Sequence, residues 1–370
     1  MKKLLLIPAF ILCVLMVNAQ ESGYEFENVV DLGVSTVKSQ GSTGTCWCFA
    51  TVSFLESELI RMGKPITDLS EMYIVKNAYE YKAKLYIGTH GKSNFSQGGQ
   101  AHDVMNEIVD HGIVPESVYD GREYESEKHN HRELSKVLTN FLDGVLEAKK
   151  PSTVWMNAFN AIQAVYLGEE PKSFDVDGKS FTPQTYASEM GIDANNYIEI
   201  TSYTNMPYYE ASELIIPDNW SHDNYYNLPL DEFMEVMEYS LNKGYTFVFD
   251  GDMSDKGFTK KEGIAVVEDE KDEEKTYLQK PVKENHIDAE FRQAQFENFN
   301  ITDDHLMHIT GLVKDQNGVK YYKTKNSWGV KNGFEGYWNM SEEFMRLHTV
   351  AIMVHKDAVP KEILKKLNLK

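Results

Sequence analysis

The sequence predicts an α+β protein in two lobes. Helical periodicity dominates the first part of the chain and alternating strand patterns the last, with the change at Gly244. A length of 370 residues, 42% of them hydrophobic, is enough for a large core.

In chain order, residues 21–40 read as an extended entry. Cys46 to Met62 reads as a helix, because Phe49, Val52, Leu55 and Leu59 follow helical spacing, with Phe54 flanking, and Gly63 stops it. Ser70 is placed to N-cap a second helix over 71–85. Gly98-Gly99 marks a backbone turn, followed by a helix over 101–111 that Gly112 ends. Further helices are expected over 131–149 and 153–167, with Pro151 between them, and shorter ones over 182–190 and 229–243. Then the texture changes. "YTFVFDGD" (245–252), "IAVV" (264–267) and "VAIMVH" (350–355) read as strands. Residues 305–315 and 319–328, joined by Gln316-Asn317-Gly318, read as a β-hairpin that carries Asn326 on its second strand. The charge run "EDEKDEEK" (268–275) reads as a solvated loop. This divides the chain into a helical lobe over about 35–120, a helical region over about 121–244 and a β-rich lobe over about 245–370.

Residues 1–20 form a secretory signal peptide by pattern. Lys2 and Lys3 precede an apolar run from Leu4 to Val17, and Asn18-Ala19-Gln20 supplies a cleavage site. The run is short for a membrane span, and no other stretch approaches spanning length. An exported protein, periplasmic or secreted, is expected. The net charge of −20 argues against nucleic acid as a partner.

Past the signal, two cysteines remain, Cys46 and Cys48 in "QGSTGTCWCFA". The pair admits a metal clip, a redox pair, or one nucleophile beside a bystander. A bridge across one residue would be badly strained, and residues two apart do not share a helix face. Cys46 sits where a glycine-rich loop enters a helix, where free N–H groups and the helix dipole favour a thiolate and lower the thiol pKa. This favours Cys46 as a nucleophile and Cys48 as a small buried hydrophobe. A cysteine nucleophile needs a base and a group that orients it. Most of the eleven histidines have polar surroundings, but "TDDHLMHIT" puts His305 and His308 on a strand, facing opposite sides, so at most one serves the site. Asn326 in "KTKNSWG" could hold an imidazole in one tautomer, and Trp328 could shield that bond. Gln40, with the Cys46 N–H, could form an oxyanion hole. No cluster has zinc-ligand spacing, so neither metal nor organic cofactor is expected.

Five segments in order, "VKSQGSTGTCWCFAT", "LSEMYIV", "SQGGQAHDVMNEIVDHGIVP", "HLMHITGL" and "KTKNSWGVKNGFEGYW", resemble the successive motifs of papain-like cysteine peptidases. The resemblance implies a papain-like two-lobe fold with Cys46 as nucleophile, Gln40 as oxyanion donor and Asn326 as orienter. Aligning on Gly311 makes His305 the base. Gly98, Gly99, Trp47 and Trp328 fall at substrate-binding positions, with a peptide expected to pair along Gly99. Thr43 replaces the first cysteine of the family signature, so the family's disulfide should be missing.

Cys46 and His305 stand 259 positions apart, against roughly 130–150 in the papain signature. The extra length, mainly within 120–245, resembles the branch containing bleomycin hydrolase and aminopeptidase C. "GIVPESVYDG", "TPQTYASEMG", "YYNLPLDEFMEVMEYSLNKG", "FVFDGD" and "VAIMVHKDAVPKEILKKL" add to that likeness. Only a short stretch separates the signal from the first motif, and this branch lacks an inhibitory prosegment. In the branch a C-terminal arm enters the cleft and its carboxylate meets the substrate's free amine. Intracellular members form hexameric rings, so a homo-oligomer is within expectation. This chain stops at "KEILKKLNLK", near where the arm would begin. An aminopeptidase is the leading expectation. The alternatives are an endopeptidase with an open cleft, an inactive peptide-binding scaffold, and a thiol-dependent acyl transferase.

Overall fold

A computed structural model describes residues 23–124, 127–267 and 275–369. The signal segment and most of the charge run lie outside the described residues. Strand β1 (Phe26–Asp31) leads into helices α1 (Cys46–Arg61), α2 (Glu71–Gly88) and α3 (Ala101–His111). Next come α4 (Arg132–Glu147), α5 (Trp155–Leu167), the hairpin β2 (Phe174–Val176) with β3 (Lys179–Phe181), and α6 (Pro183–Met190). Strands β4 (Tyr197–Thr201), β5 (Ala211–Glu213) and β6 (Asn224–Asn227) precede α7 (Leu230–Asn242), β7 (Phe247–Gly251), β8 (Ile264–Ala265) and α8 (Ala289–Glu297). The chain closes with β9 (His305–Asp315), β10 (Lys320–Lys325), β11 (Tyr337–Ser341), α9 (Glu342–His348), β12 (Thr349–His355) and α10 (Lys361–Lys366).

The expected helices all form, within a few residues of their sequence bounds. Local chemistry explains several starts. The Ser70 hydroxyl accepts from Tyr73 N, and Gln100 with Asp103 makes a capping box at α3. The region over 121–244 was expected to be helical, yet it also carries the β2–β3 hairpin and β4 to β6. β4 lies inside the main sheet beside β12. Its alternation was invisible because every residue of β4 is buried, on both faces. Strands β4–β6 are therefore structural members of the sheet, and the loop between β5 and β6 is carried on its edge.

The sheet has the order β5-β6-β4-β12-β7-β9-β10-β11-β8, with β1 paired to β9 off that path. β9 is the centre of the arrangement, pairing with β1, β7 and β10. Gly311 is required there, since a Cβ would meet Val30 O at 2.2 Å. Side chains alternate off the central strands. Val248, Leu306 and Met353 join the helical core with Phe54 and Leu55, while Phe247, Phe249, Met307 and Ile309 join the other core with α7. Two cores on the two faces of one sheet give the two lobes.

Helix α1 is buried along almost its whole length. Most of its buried polar side chains are consequently paired, Ser57 Oγ being the exception. Glu56, 1% exposed, accepts from Ser35 Oγ, from Leu69 N at 2.9 Å and from Lys38 Nζ at 3.4 Å. Lys38 also reaches Glu71 at 2.7 Å. Lys325 Nζ of β10 donates to Ser35 and Ser53, and Ser53 meets His308 Nδ1 at 2.9 Å. Removing one member strands the rest in a low-dielectric site. Glu56→Ala is expected to lower stability by about 3–5 kcal/mol, read as a shift of the urea midpoint at pH 7. A change under about 1 kcal/mol would mean the network contributes little.

Candidate active site

Cys46 is the first residue of α1. Thr45 makes no side-chain cap, so the first N–H groups of the helix face the site. The N–H groups of Leu306 and Trp47 point at the Cys46 sulfur. Leu306 follows His305 at the start of β9, so the strand that carries the imidazole is also the one that reaches the Cys46 sulfur. His305 Nε2 lies 3.0 Å from Asn326 Oδ1, which leaves Nδ1 as the ring nitrogen turned away from that amide. Trp328 stacks on the imidazole, with ring centroids 4.9 Å apart and planes at 29°. His308 points the other way, to Ser53; the strand's alternation separates the two histidines as expected.

Asn326 sits one residue beyond β10, whereas the sequence suggested a longer strand carrying it. The chain leaves the β9 ladder here because its next backbone partners lie elsewhere. Asn326 N donates to Gly336 O, and Ser327 O accepts from Gln40 N. That exchange ties Gln40 to the same segment. Ser327 Oγ donates to Gln40 Oε1 at 2.6 Å, which orients the amide, and Gln40 Nε2 donates to Thr43 O at 2.8 Å. The Nε2 group has a second proton available for a ligand near the Cys46 N–H.

Burial decides the protonation of the pair. Desolvation pushes the Cys46 thiol up to about 12, and outweighs the lowering by the Leu306 and Trp47 N–H groups. The helix start was expected to lower this pKa, but the thiol is buried too deeply for the dipole to win. Desolvation likewise pulls His305 down to about 4, opposed by Asn326. Each charge alone is disfavoured by burial. The low dielectric that penalises each charge also strengthens the attraction between them, so a thiolate and an imidazolium form best together.

Trp47 is fully buried. Its Nε1 donates to Gln97 O at 2.9 Å, and its ring supports Gly99, whose Cβ would meet it at 3.0 Å. It shapes the glycine loop from beneath and offers no surface to a peptide in this structure. Gly98 lies under the Asp218 carboxylate, a neighbour that nothing in the sequence pattern announced. Cys48 is buried and donates to Glu71 O, and both cysteines are free thiols. Among the described residues no helix is long and apolar enough to cross a membrane.

The helical and strand-rich halves have the fold of a papain-like cysteine peptidase, with Cys46 at a helix start, His305 on the strand packed against it and Asn326 behind the imidazole. The chain belongs to the Peptidase C1-like family, whose model matches residues 73–370. It is 25% identical to aminopeptidase C of Lactococcus lactis subsp. cremoris, over 90% of this chain and 83% of that protein. It is 24% identical to aminopeptidase W of Lactobacillus delbrueckii subsp. lactis, over 90% of this chain and 84% of that one. The fold is shared with the crystal structure of PepW from Lactobacillus rhamnosis HN001, at a TM-score of 0.69 and 20% identity, covering 92% of this chain and 84% of that one.

Trp328→Ala should open the His305–Asn326 bond to water and move the His305 pKa upward from about 4 toward the ordinary value of about 6.5. Imidazole NMR titration checks this; an unmoved resonance would mean burial by other groups suffices.

Proposed function

We propose that this chain is an exported cysteine aminopeptidase working through Cys46, His305 and Asn326. The observation that carries the reading is the Leu306 N–H acting on the Cys46 sulfur, one residue after an imidazole whose Nε2 is held 3.0 Å from Asn326. His305 takes the thiol proton as the sulfur attacks the scissile carbonyl. The oxyanion forms between the Cys46 N–H and the second Gln40 Nε2 proton. His305 then returns the proton to the departing amine, leaving a thioester on Cys46. Water, deprotonated by His305, cleaves the thioester and restores the thiol. Asn326 keeps Nδ1 turned to sulfur throughout. The names of the relatives support removal of single N-terminal residues, and the Lys2-Lys3 start with its apolar run supports export.

Cys46→Ala is expected to abolish turnover with the fold retained by circular dichroism, while Cys48→Ala keeps most activity. Asn326→Ala should lower kcat by about 100-fold, the scale of a misdirected acid–base group. Peptides with a free and an acetylated N-terminus, digested and read by mass spectrometry, test the exopeptidase step. Single-residue loss from the free peptide alone is expected; internal cuts in both would overturn it.

The pH dependence follows from the same pair. Below its pKa, His305 already holds a proton and cannot accept the one on sulfur, so kcat/KM falls as pH drops through about 4. Activity should persist at pH 5, and a half-loss near pH 6.5 would contradict the buried, neutral imidazole.

A further inference from the structure

An aminopeptidase must hold a charged α-ammonium one carbon away from the carbonyl it attacks. The structure has a built acceptor for such a cation beside Cys46. The loop between β5 and β6 lies against the glycine turn. Asn94 Nδ2 donates to Pro217 O and to Asp218 Oδ1, each at 3.1 Å. Ser96 Oγ reaches the same carboxylate oxygen at 3.4 Å, and Asp218 N donates to Asp303 Oδ2 at 3.2 Å. These contacts fix Asp218 with its other oxygen over Gly98, where a Cβ would stand only 1.9 Å away. Among the described residues no hydrogen bond reaches that Oδ2.

Behind Asp218 stands Asp250, on β7 and paired in register with Leu306. It is 3% exposed, no hydrogen bond of ordinary geometry reaches either of its oxygens among the described residues, and the Gln100 side-chain amide is the donor that acts on it. Asp218 and Asp303 are the first charges acting on Asp250 after its own burial. Asp218 and Asp250 both act on the Cys46 sulfur. The carboxyls of Asp218, Asp250 and Asp303 are all raised, first by burial, and Asp250 and Asp303 also by neighbouring carboxylates. The buried Lys82 ammonium donates to Gly98 O at 2.6 Å and is the leading charge that lowers Asp218, so it offsets part of the cluster's charge without a hydrogen bond to Asp218 among the described residues. Among the described residues no three carboxylate, histidine or cysteine groups converge tightly enough to hold a metal ion.

We propose that Asp218, backed by Asp250 and Asp303, binds the α-ammonium of the substrate, and that the β5–β6 loop closes the cleft beyond the first residue. This rests on the aminopeptidase reading above. An ammonium has three donors and makes short charge-assisted bonds to carboxylates. It satisfies buried acceptors that otherwise repel one another. An acetylated nitrogen carries no charge and adds a carbonyl and a methyl where Asp218 covers Gly98, so a blocked or longer peptide meets both a steric and an electrostatic barrier. The loop thus restricts an endopeptidase-type cleft to one residue on that side.

The test compares kcat/KM for aminoacyl coumarylamides and their N-acetyl forms in the wild type and in Asp218→Asn. The wild type should strongly prefer the free amine. In D218N, kcat/KM for the free amine should drop about 100-fold, mostly through KM, as expected for losing one partner of a desolvated charge pair. The acetylated substrate should hold steady or improve, and stoichiometric alkylation of Cys46 by iodoacetamide should be unchanged. Asp218→Ser serves where D218N fails to melt cooperatively. A folded variant that keeps the wild-type preference within about threefold overturns the role of Asp218 alone. A wild type that cleaves internally and ignores the amine overturns the aminopeptidase reading together with this inference.

Discussion

The packing of α1 against β9 is the contact on which the rest depends. Ser53 and His308 meet across 255 positions of chain, and the same interface sets Cys46 beside the start of β9. Gly311 lets β1 close on β9 from one side, while β7 and β10 hold it from the others. A strand paired this fully cannot slip by one residue without turning His305 into the core and His308 into the cleft. The register of β9 is therefore a functional property as much as a structural one.

Burial at this interface has a chemical consequence. It costs the thiolate and the imidazolium their hydration separately, which moves the two pKa values apart, to about 12 and about 4. What remains accessible is proton transfer inside the pair, where one charge stabilises the other. Trp328 and Asn326 maintain that condition by covering and aiming the ring. Gln40, bound to Ser327 across 287 positions, carries the same restraint to the oxyanion side.

The long segment between the lobes follows the same logic. Its strand β4 is zipped onto β12, so it cannot drift as an appendage. That anchoring lets the loop after β5 project to Gly98 and place carboxylates at the cleft. The acidic cluster is tolerated because Asn94, Ser96 and the Asp218 N–H donate to it and the buried Lys82 lies near enough to lower Asp218.

The sequence by itself determined the helices and the β9–β10 hairpin, and singled out Cys46, His305, Asn326 and Gln40 as candidates, because periodicity, turn residues and ordered short motifs are local signals. It also separated the two histidines, since strand alternation is a local rule. Only the tertiary structure decided the membership of β4 to β6 in the sheet, whose doubly buried strand shows no alternation. It also moved Asn326 off the strand, sealed Trp47 beneath Gly99, and reversed the expected shift of the Cys46 thiol. Those outcomes depend on how much water each group loses, and that is set by neighbours hundreds of residues away. Asp218 belongs with them: one aspartate among many in the sequence, it acquires its place only when the β5–β6 loop is laid over Gly98.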